Sequence, residues 1–81
     1  METETSVTGI IVPVNYDKDY NAVSIMLFTD EEQEFLIELS NIGYELLHQL
    51  RRLVKISGTI RKNNTGRNTI SVRRYEILDS Y

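Results

Sequence analysis

The chain has 81 residues, of which 41% are hydrophobic and 26% are charged, and it contains no cysteine. This length fits one globular domain, and the lack of cysteine excludes disulfides, thiolate metal sites and a cysteine nucleophile. The formal net charge of −3 is unevenly distributed. Residues 1–50 carry one Lys and ten Asp/Glu, a formal −9, whereas residues 51–81 carry eight Lys/Arg and two acids, a formal +6.

The first predicted strand is irregular. Residues 1–5 are polar and are predicted to form a disordered tail, so that the domain spans residues 6–81. Apolar residues recur through residues 6–16, but Gly9 and Pro13 interrupt them. A glycine inside a strand indicates a bulge or a tight bend, and proline fits only an unpaired edge position.

Two further strands are predicted on either side of an acidic turn. Residues 16–21 have the composition of a loop, and residues 22–29 are rich in strand-forming residues. An acidic connection at residues 30–33 leads into a strand at residues 34–39. The inward side chains are expected to be Val23, Ile25, Leu27, Phe35, Ile37 and Leu39.

The hydrophobic period then changes from that of a strand to that of a helix. We predict a helix at residues 42–52, which Ser40 or Asn41 can cap and which places Arg51 and Arg52 near its negative C-terminal end. Four apolar side chains would share one face of this segment: Ile42, Leu46, Leu50 and Leu53.

A basic hairpin completes the chain, with strands at residues 53–62 and 68–78. The connection contains Asn and Gly, which tolerate the positive φ angles of a hairpin turn. In the last strand the apolar set changes phase at Arg73 and Arg74, which indicates either a bulge or a strand that changes faces there. The inward residues on either side of the shift are Ile70, Val72, Tyr75 and Ile77.

The order of strand, strand, strand, helix, strand, strand resembles the OB-fold family, the oligonucleotide- and oligosaccharide-binding proteins. The segments that carry the resemblance are VTGII at residues 7–11, LRRLVKISGTI at 50–60 and ISVRRY at 70–75. The resemblance implies an all-β, five-stranded Greek-key barrel with one α-helix between the third and fourth strands. It also implies a ligand lying across the second and third strands, between the first loop and the last.

Transferred to this chain, the family pattern gives a set of candidate nucleic-acid-binding residues. Cationic side chains neutralise phosphates, and exposed aromatic side chains stack on bases. However, Glu34 and Glu38 lie on the strand where such a ligand would rest, so we expect a nucleic acid to be displaced toward strands four and five. The candidates are Lys55, Arg61, Lys62, Arg67, Arg73, Arg74, Tyr16 and Tyr20.

A purely structural alternative explains part of the basic block. The last strand of an OB barrel lies beside the third, so Arg73 or Arg74 could pair with Glu34 and Glu38. This alternative explains the loop cations Arg61, Lys62 and Arg67 less well. A hairpin turn centred near residues 64–65 would also place Lys55 opposite Arg74, and two like charges there would require a nearby anion.

Catalysis is not expected, and neither is a cofactor or a metal. The single histidine, His48, lies on the predicted helix face opposite the apolar stripe, and no partner for a catalytic relay is evident. The acidic, polar N-terminus does not resemble a secretory signal, and no apolar run approaches the ~20 residues of a membrane span. We therefore expect a soluble, cytoplasmic protein with no membrane partner.

Two functions are compatible with the sequence. The first is a small module that binds nucleic acid, with a preference for single strands and little sequence specificity, through the hairpin of strands four and five. The alternative is a protein–protein interaction module that uses its acidic and basic faces, without nucleic acid, to recognise a charged partner or a second copy of itself.

Overall fold

The structure is a computed structural model that describes residues 4–79. Its five strands are β1 (Glu4–Tyr16), β2 (Ala22–Phe28), β3 (Glu34–Ile37), β4 (Leu53–Lys62) and β5 (Asn68–Ile77). They form a closed barrel in the order β1, β2, β3, β5, β4, in which β3 and β5 are parallel and the other pairs are antiparallel. The predicted five-stranded OB-like barrel, with one short helix between β3 and β4, is confirmed.

Strand β1 closes the barrel because its two halves pair with different strands. Its residues 4–10 pair with β4 and its residues 10–16 pair with β2. The change of partner occurs beside Gly9, where a Cβ atom would lie 2.5 Å from the carbonyl oxygen of Phe28. Only glycine permits two backbones to approach this closely. The register beyond Pro13 is shifted, so the predicted irregularity of this strand is also confirmed.

The strand begins earlier than the sequence predicted. Glu4 pairs with Thr59 and Thr5 with Gly58, so these two residues belong to the barrel and not to a tail. They are ordered because the ladder of backbone hydrogen bonds to β4 continues to the start of β1. The rest of the predicted tail, residues 1–3, lies outside the described residues, as do residues 80–81.

The core follows the predicted alternation of apolar residues. Val23 departs from it, because it lies near the start of β2 and remains 46% exposed. Tyr75 packs partly against the core and donates a hydrogen bond to Glu45, which raises the pKa of the tyrosine. The buried hydrophobic residues are Ile11, Ile25, Leu27, Phe35, Ile37, Leu46, Val54, Ile56 and Ile70.

The helical segment is shorter than predicted. It consists of α1 (Ile42–Glu45) and one 3₁₀ turn (Leu46–His48), so the prediction of a helix through residue 52 is wrong. Gln49, with a φ of −120° and a ψ of 34°, is no longer helical, and Arg51 then adopts a φ of 66° and donates its backbone N–H to the carbonyl of Ile11. The predicted side-chain cap is also wrong, since Asn41 precedes α1 without forming a capping hydrogen bond.

The first loop, residues 17–21, is organised by the Asp17 carboxylate. This carboxylate accepts backbone N–H groups from Asp19 at 2.8 Å and from Asn21 at 2.9 Å. The hydrogen bond from the Asn21 backbone is the largest cause of a pKa for Asp17 below its usual 3.8. Such a turn fixes the loop locally, independently of any ligand.

Replacement of Asp17 should therefore change how stability depends on pH. A carboxyl group whose pKa is lowered by folding stabilises the folded state above the unfolded pKa, and this contribution is lost as pH falls through the folded pKa. We expect Asp17→Asn to lose less stability than the wild type between neutral and strongly acidic pH, measured by urea unfolding. Asp19→Asn is the control, since the Asp19 carboxylate accepts no hydrogen bond within residues 4–79. Equal acid sensitivity in the wild type and Asp17→Asn would contradict the expectation.

Candidate nucleic-acid interface

The outward side chains of β4, β5 and the first half of β1 form a surface that we call the basic face. Alternation along β4 directs Val54 and Ile56 inward and their neighbours outward. The cross-strand register then places the outward residues of β1 and β5 on either side of β4. The basic face consists of Glu4, Ser6, Thr8, Lys55, Ser57, Thr59, Arg61, Thr69, Ser71, Arg73, Arg74 and Glu76.

Hydroxyl groups occupy the middle of this face. Ser6 and Ser57 are opposite each other, and their hydroxyl oxygens share a hydrogen bond of 2.9 Å. Ser57 itself is buried, at 6% exposure, whereas Ser6 is exposed. Thr59 is opposite Ser71 in the same ladder. The basic face has no aliphatic or aromatic member, so a ligand would meet hydroxyl and cationic donors together with the carboxylates Glu4 and Glu76. These hydroxyls were not among the residues predicted from the sequence, although their alternation with apolar residues in β4 is a signal that could have identified them.

The predicted bulge in β5 is confirmed, and it changes which residues face each other. Ser57 pairs with Arg74 and Gly58 with Val72, so Arg73 is the extra residue. The shift brings Lys55 opposite Glu76. The prediction that Lys55 faces Arg74 and requires an anion is therefore wrong.

Both arginines at the bulge pair with Glu4 across β4. Arg74 Nη2 lies 3.1 Å from Glu4 Oε1, and Arg73 Nε lies 3.7 Å from Glu4 Oε2. The arginine side chains are 70% and 76% exposed. Exposed pairs of this kind contribute typically about 0.2–1 kcal/mol each, so they leave the arginines accessible to a stronger anionic partner.

The alternative pairing of these arginines with Glu34 and Glu38 is wrong. Strand β5 does lie beside β3, but the paired residues are Leu36 with Thr69 and Ile37 with Ile70. Arg73 and Arg74 come three or more residues later, where β5 pairs with β4 alone.

The last loop, residues 63–67, is a turn held by local hydrogen bonds, with cations at its two ends. The Asn63 side-chain oxygen accepts hydrogen bonds from the Thr65 backbone, the Thr65 hydroxyl and the Arg67 backbone. Gly66 adopts the predicted positive φ, here 81°. Lys62 and Arg67 are exposed at the two ends of this turn, and Arg61 is exposed at the end of β4.

The two candidate tyrosines lie elsewhere. Tyr16 and Tyr20 are 51% and 86% exposed, around the first loop. Because β2 is antiparallel to β3 and β5 is parallel to it, the first loop lies toward the C-terminal end of β3 and the last loop toward its start. The structure therefore brings together the six candidate cations on β4, β5 and their connecting loop, but it does not bring the tyrosines to them.

The electrostatic balance of the site favours anions. Among residues 4–79, the six cations Lys55, Arg61, Lys62, Arg67, Arg73 and Arg74 share this surface with the two carboxylates Glu4 and Glu76, a formal +6 and −2 that sum to +4. Within residues 4–79, no group of three or more His, Asp or Glu side chains is arranged to hold a metal ion. No helix of the same region is long and apolar enough to cross a membrane.

Comparison with models of known protein families finds no match to this chain. Comparison with curated protein sequences finds no significant similarity either.

Proposed function

We propose that the protein is an OB-like module that binds nucleic acid through the sugar–phosphate backbone, without sequence preference. The observation that carries the proposal is the formal +4 that residues 4–79 place on the basic face and the adjoining last loop, beside exposed hydroxyl groups. Phosphate oxygens accept hydrogen bonds from Arg, Lys, Ser and Thr side chains, and these contacts carry no sequence information. Neutralisation of phosphates also releases counterions, which supplies most of the affinity in non-specific binding.

The geometry supports phosphate contacts more strongly than base stacking. Tyr16 and Tyr20, the aromatic candidates, lie at the other end of β3 from the last loop. A preference for single strands would require an aromatic platform beside the cations. That preference stays a prediction, and a comparison of single-stranded and duplex probes of equal length tests it.

Removal of three cations should weaken nucleic-acid binding strongly. We expect Lys62→Ala/Arg67→Ala/Arg74→Ala to bind a fluorescently labelled oligonucleotide about 10–100 times more weakly at low salt, measured by anisotropy. The slope of log affinity against log salt should become shallower by about 2, at roughly 0.7 per lost phosphate contact on a single strand. Lys18→Ala, an exposed cation in the first loop, is the matched control and should behave like the wild type.

Two results would contradict the proposal. One is the absence of binding by the wild type at low salt to both single-stranded and duplex probes. The other is a loss of log affinity in Lys18→Ala about one third of that in the triple variant, which would indicate an effect of overall charge, since one cation is removed instead of three. A further variant, Tyr20→Ala, should retain wild-type affinity because Tyr20 lies away from the basic face. A loss in this variant would instead support stacking.

Replacement of Glu4 should strengthen binding. Glu4 pairs with both Arg73 and Arg74, so Glu4→Gln releases two guanidinium groups and raises the charge of the basic face by one. We expect affinity for the same oligonucleotide to rise about 1.4- to fivefold at low salt, which corresponds to the roughly 0.2–1 kcal/mol of an exposed ion pair. Glu34→Gln removes the same charge from β3 and should have little effect. Equal gains in both variants would show that the position of the charge is unimportant.

A further inference from the structure

A second outer surface, which we call the apolar face, lies on β1, β2 and β3. The register forms two rows of outward side chains across these strands: Leu53, Ile10 and Phe28 in one, and Val12, Met26 and Leu36 in the other. The inward neighbours of these residues, such as Ile11 and Leu27, are fully buried, so the alternation places all six on the exterior.

These six side chains are not part of the hydrophobic core. The partly buried hydrophobic residues that pack against the core are a different set, which includes Val7, Leu50 and Tyr75. Each of the six remains partly exposed, and Phe28 is 38% exposed. Single exposed apolar residues are normal, but a contiguous apolar surface on a small protein marks a site of interaction.

A groove of about 360 Å³ opens at one end of the apolar face. Ile10, Phe28 and Leu53 line it, together with Gly9, which is buried, and Asp30, which is exposed. Strand β1 changes partner beside Gly9, and this change separates the first half of β1, on the basic face, from the second half, on the apolar face. The groove can accept a large apolar side chain next to a carboxylate.

The charge at the groove and on the β3 side of the apolar face is negative. Asp30 lines the groove and Glu34 is opposite Phe28, whereas Arg51 and Arg52 precede Leu53 at the other end of that row. Within residues 4–79, none of the five carboxylates Asp30, Glu31, Glu32, Glu34 and Glu38 forms an ion pair. A partner that covers this face therefore gains by bringing cations to its rim.

We propose that the apolar face binds a segment of another protein that carries large apolar side chains flanked by Lys or Arg. A second copy of this chain is a poor occupant. In two apolar faces packed together, the five carboxylates of each copy would outnumber the nearby cations of the other, Arg51 and the Asp79-paired Arg52. The basic face of another copy has no apolar side chain to bury. Nucleic acid is repelled by the same carboxylates, so the two outer faces serve different partners, and this inference does not depend on nucleic-acid binding.

The test is a selection of random short peptides, displayed on phage, against the immobilised wild-type protein. Peptides are selected in parallel on Met26→Ser/Phe28→Ser, which removes the centre of the apolar face without touching the core, and on Val23→Ser, an exposed apolar residue outside that face. Circular dichroism confirms that each variant is folded. The selected peptides are then synthesised and titrated into labelled protein, with NMR mapping of the amides that shift.

The expected result is enrichment of peptides with net positive charge and at least one large apolar residue, on both the wild type and Val23→Ser. Their affinity for Met26→Ser/Phe28→Ser should fall by about tenfold or more, as expected for loss of buried anchor residues. Amide shifts should cluster at Ile10, Val12, Met26, Phe28 and Leu36. No enrichment on the wild type, equal enrichment on the double variant, or shifts on the basic face would overturn the proposal. Shifts of the apolar face that depend on protein concentration without peptide would also overturn it, in favour of a second copy.

Discussion

Deletion of Arg73 should leave the barrel folded, whereas deletion of Ser71, two residues earlier, should unfold it. The difference arises from the bulge in β5, where Arg73 is the one residue without a partner in β4. If Arg73 is removed, Arg74 follows Val72 directly and still pairs with Ser57. The inward positions of Val72 and Tyr75 are then unchanged.

Deletion of Ser71 cannot be absorbed in the same way. Side chains alternate between the two faces of a strand, so the loss of one residue moves every residue on one side of the deletion to the other face. If the bulge is retained, Ile70, which is fully buried, turns toward solvent. If the bulge is closed instead, Val72 turns outward and Arg73 turns inward. Removal of one large aliphatic side chain from a core costs about 2–5 kcal/mol, a large part of the roughly 4–12 kcal/mol expected for a chain of this length.

Urea unfolding followed by circular dichroism measures both deletions. Arg73 deletion should give a cooperative transition close to that of the wild type, and Ser71 deletion should give none or one at much lower urea. Equal destabilisation by the two deletions would show that the bulge does not absorb a change of register. The Arg73 deletion also removes one cation of the basic face, so we expect it to weaken oligonucleotide binding while the protein stays folded.

The strands were largely predictable because hydrophobic alternation is a local signal. The inward residues of β2 and β3, such as Ile25 and Phe35, and the position of the bulge all follow from the spacing of apolar residues. The start of β1 was not predictable in this way. Glu4 and Thr5 are polar on both faces of the strand, and only their pairing with β4 identifies them as part of it.

The partners of the basic residues were not predictable because they depend on cross-strand register. The bulge shifts β5 by one residue against β4, which places Glu76 opposite Lys55 and Arg74 opposite Ser57. Glu4 reaches Arg73 and Arg74 from β1, across the whole width of β4. Because Glu4 was predicted to lie in a disordered tail, it could not be recognised as the carboxylate that pairs with these two arginines.

Strand β1 contributes to both outer surfaces of the barrel. Its outward residues before Gly9, Ser6 and Thr8, are hydroxyl residues of the basic face, and those after it, Ile10 and Val12, are aliphatic. The run of Ile10, Ile11 and Val12 is the sequence signal for the second surface, because consecutive apolar residues in a strand leave one of its faces apolar on the outside. The basic residues of the second half of the chain thus lie on one face of the barrel. The apolar face, with the acidic residues Asp30 and Glu34 beside it, lies on another.

Within the apolar stripe predicted for the helix, Leu46→Ala should destabilise the protein far more than Leu53→Ala. The sequence places both residues on one helical face, but the helical segment ends at His48. Leu46 is fully buried and belongs to the core, whereas Leu53 lies in β4 opposite Ile10, on the outer surface. We expect Leu46→Ala to lower the free energy of unfolding by about 2–5 kcal/mol, the usual cost of a cavity in a core.

The two variants make the same chemical change, so their difference isolates the environment of each leucine. Leu53→Ala leaves no internal cavity, and exposed sites typically change stability by about 0.5 kcal/mol or less, with partly covered ones somewhat more. Urea unfolding of both variants measures the difference. Similar losses would mean that Leu53 packs as firmly as Leu46, and hence that the apolar face is covered within the monomer. A large difference would show that Leu46 packs in the core of the barrel, whereas Leu53 lies on the apolar face, where a partner can contact it.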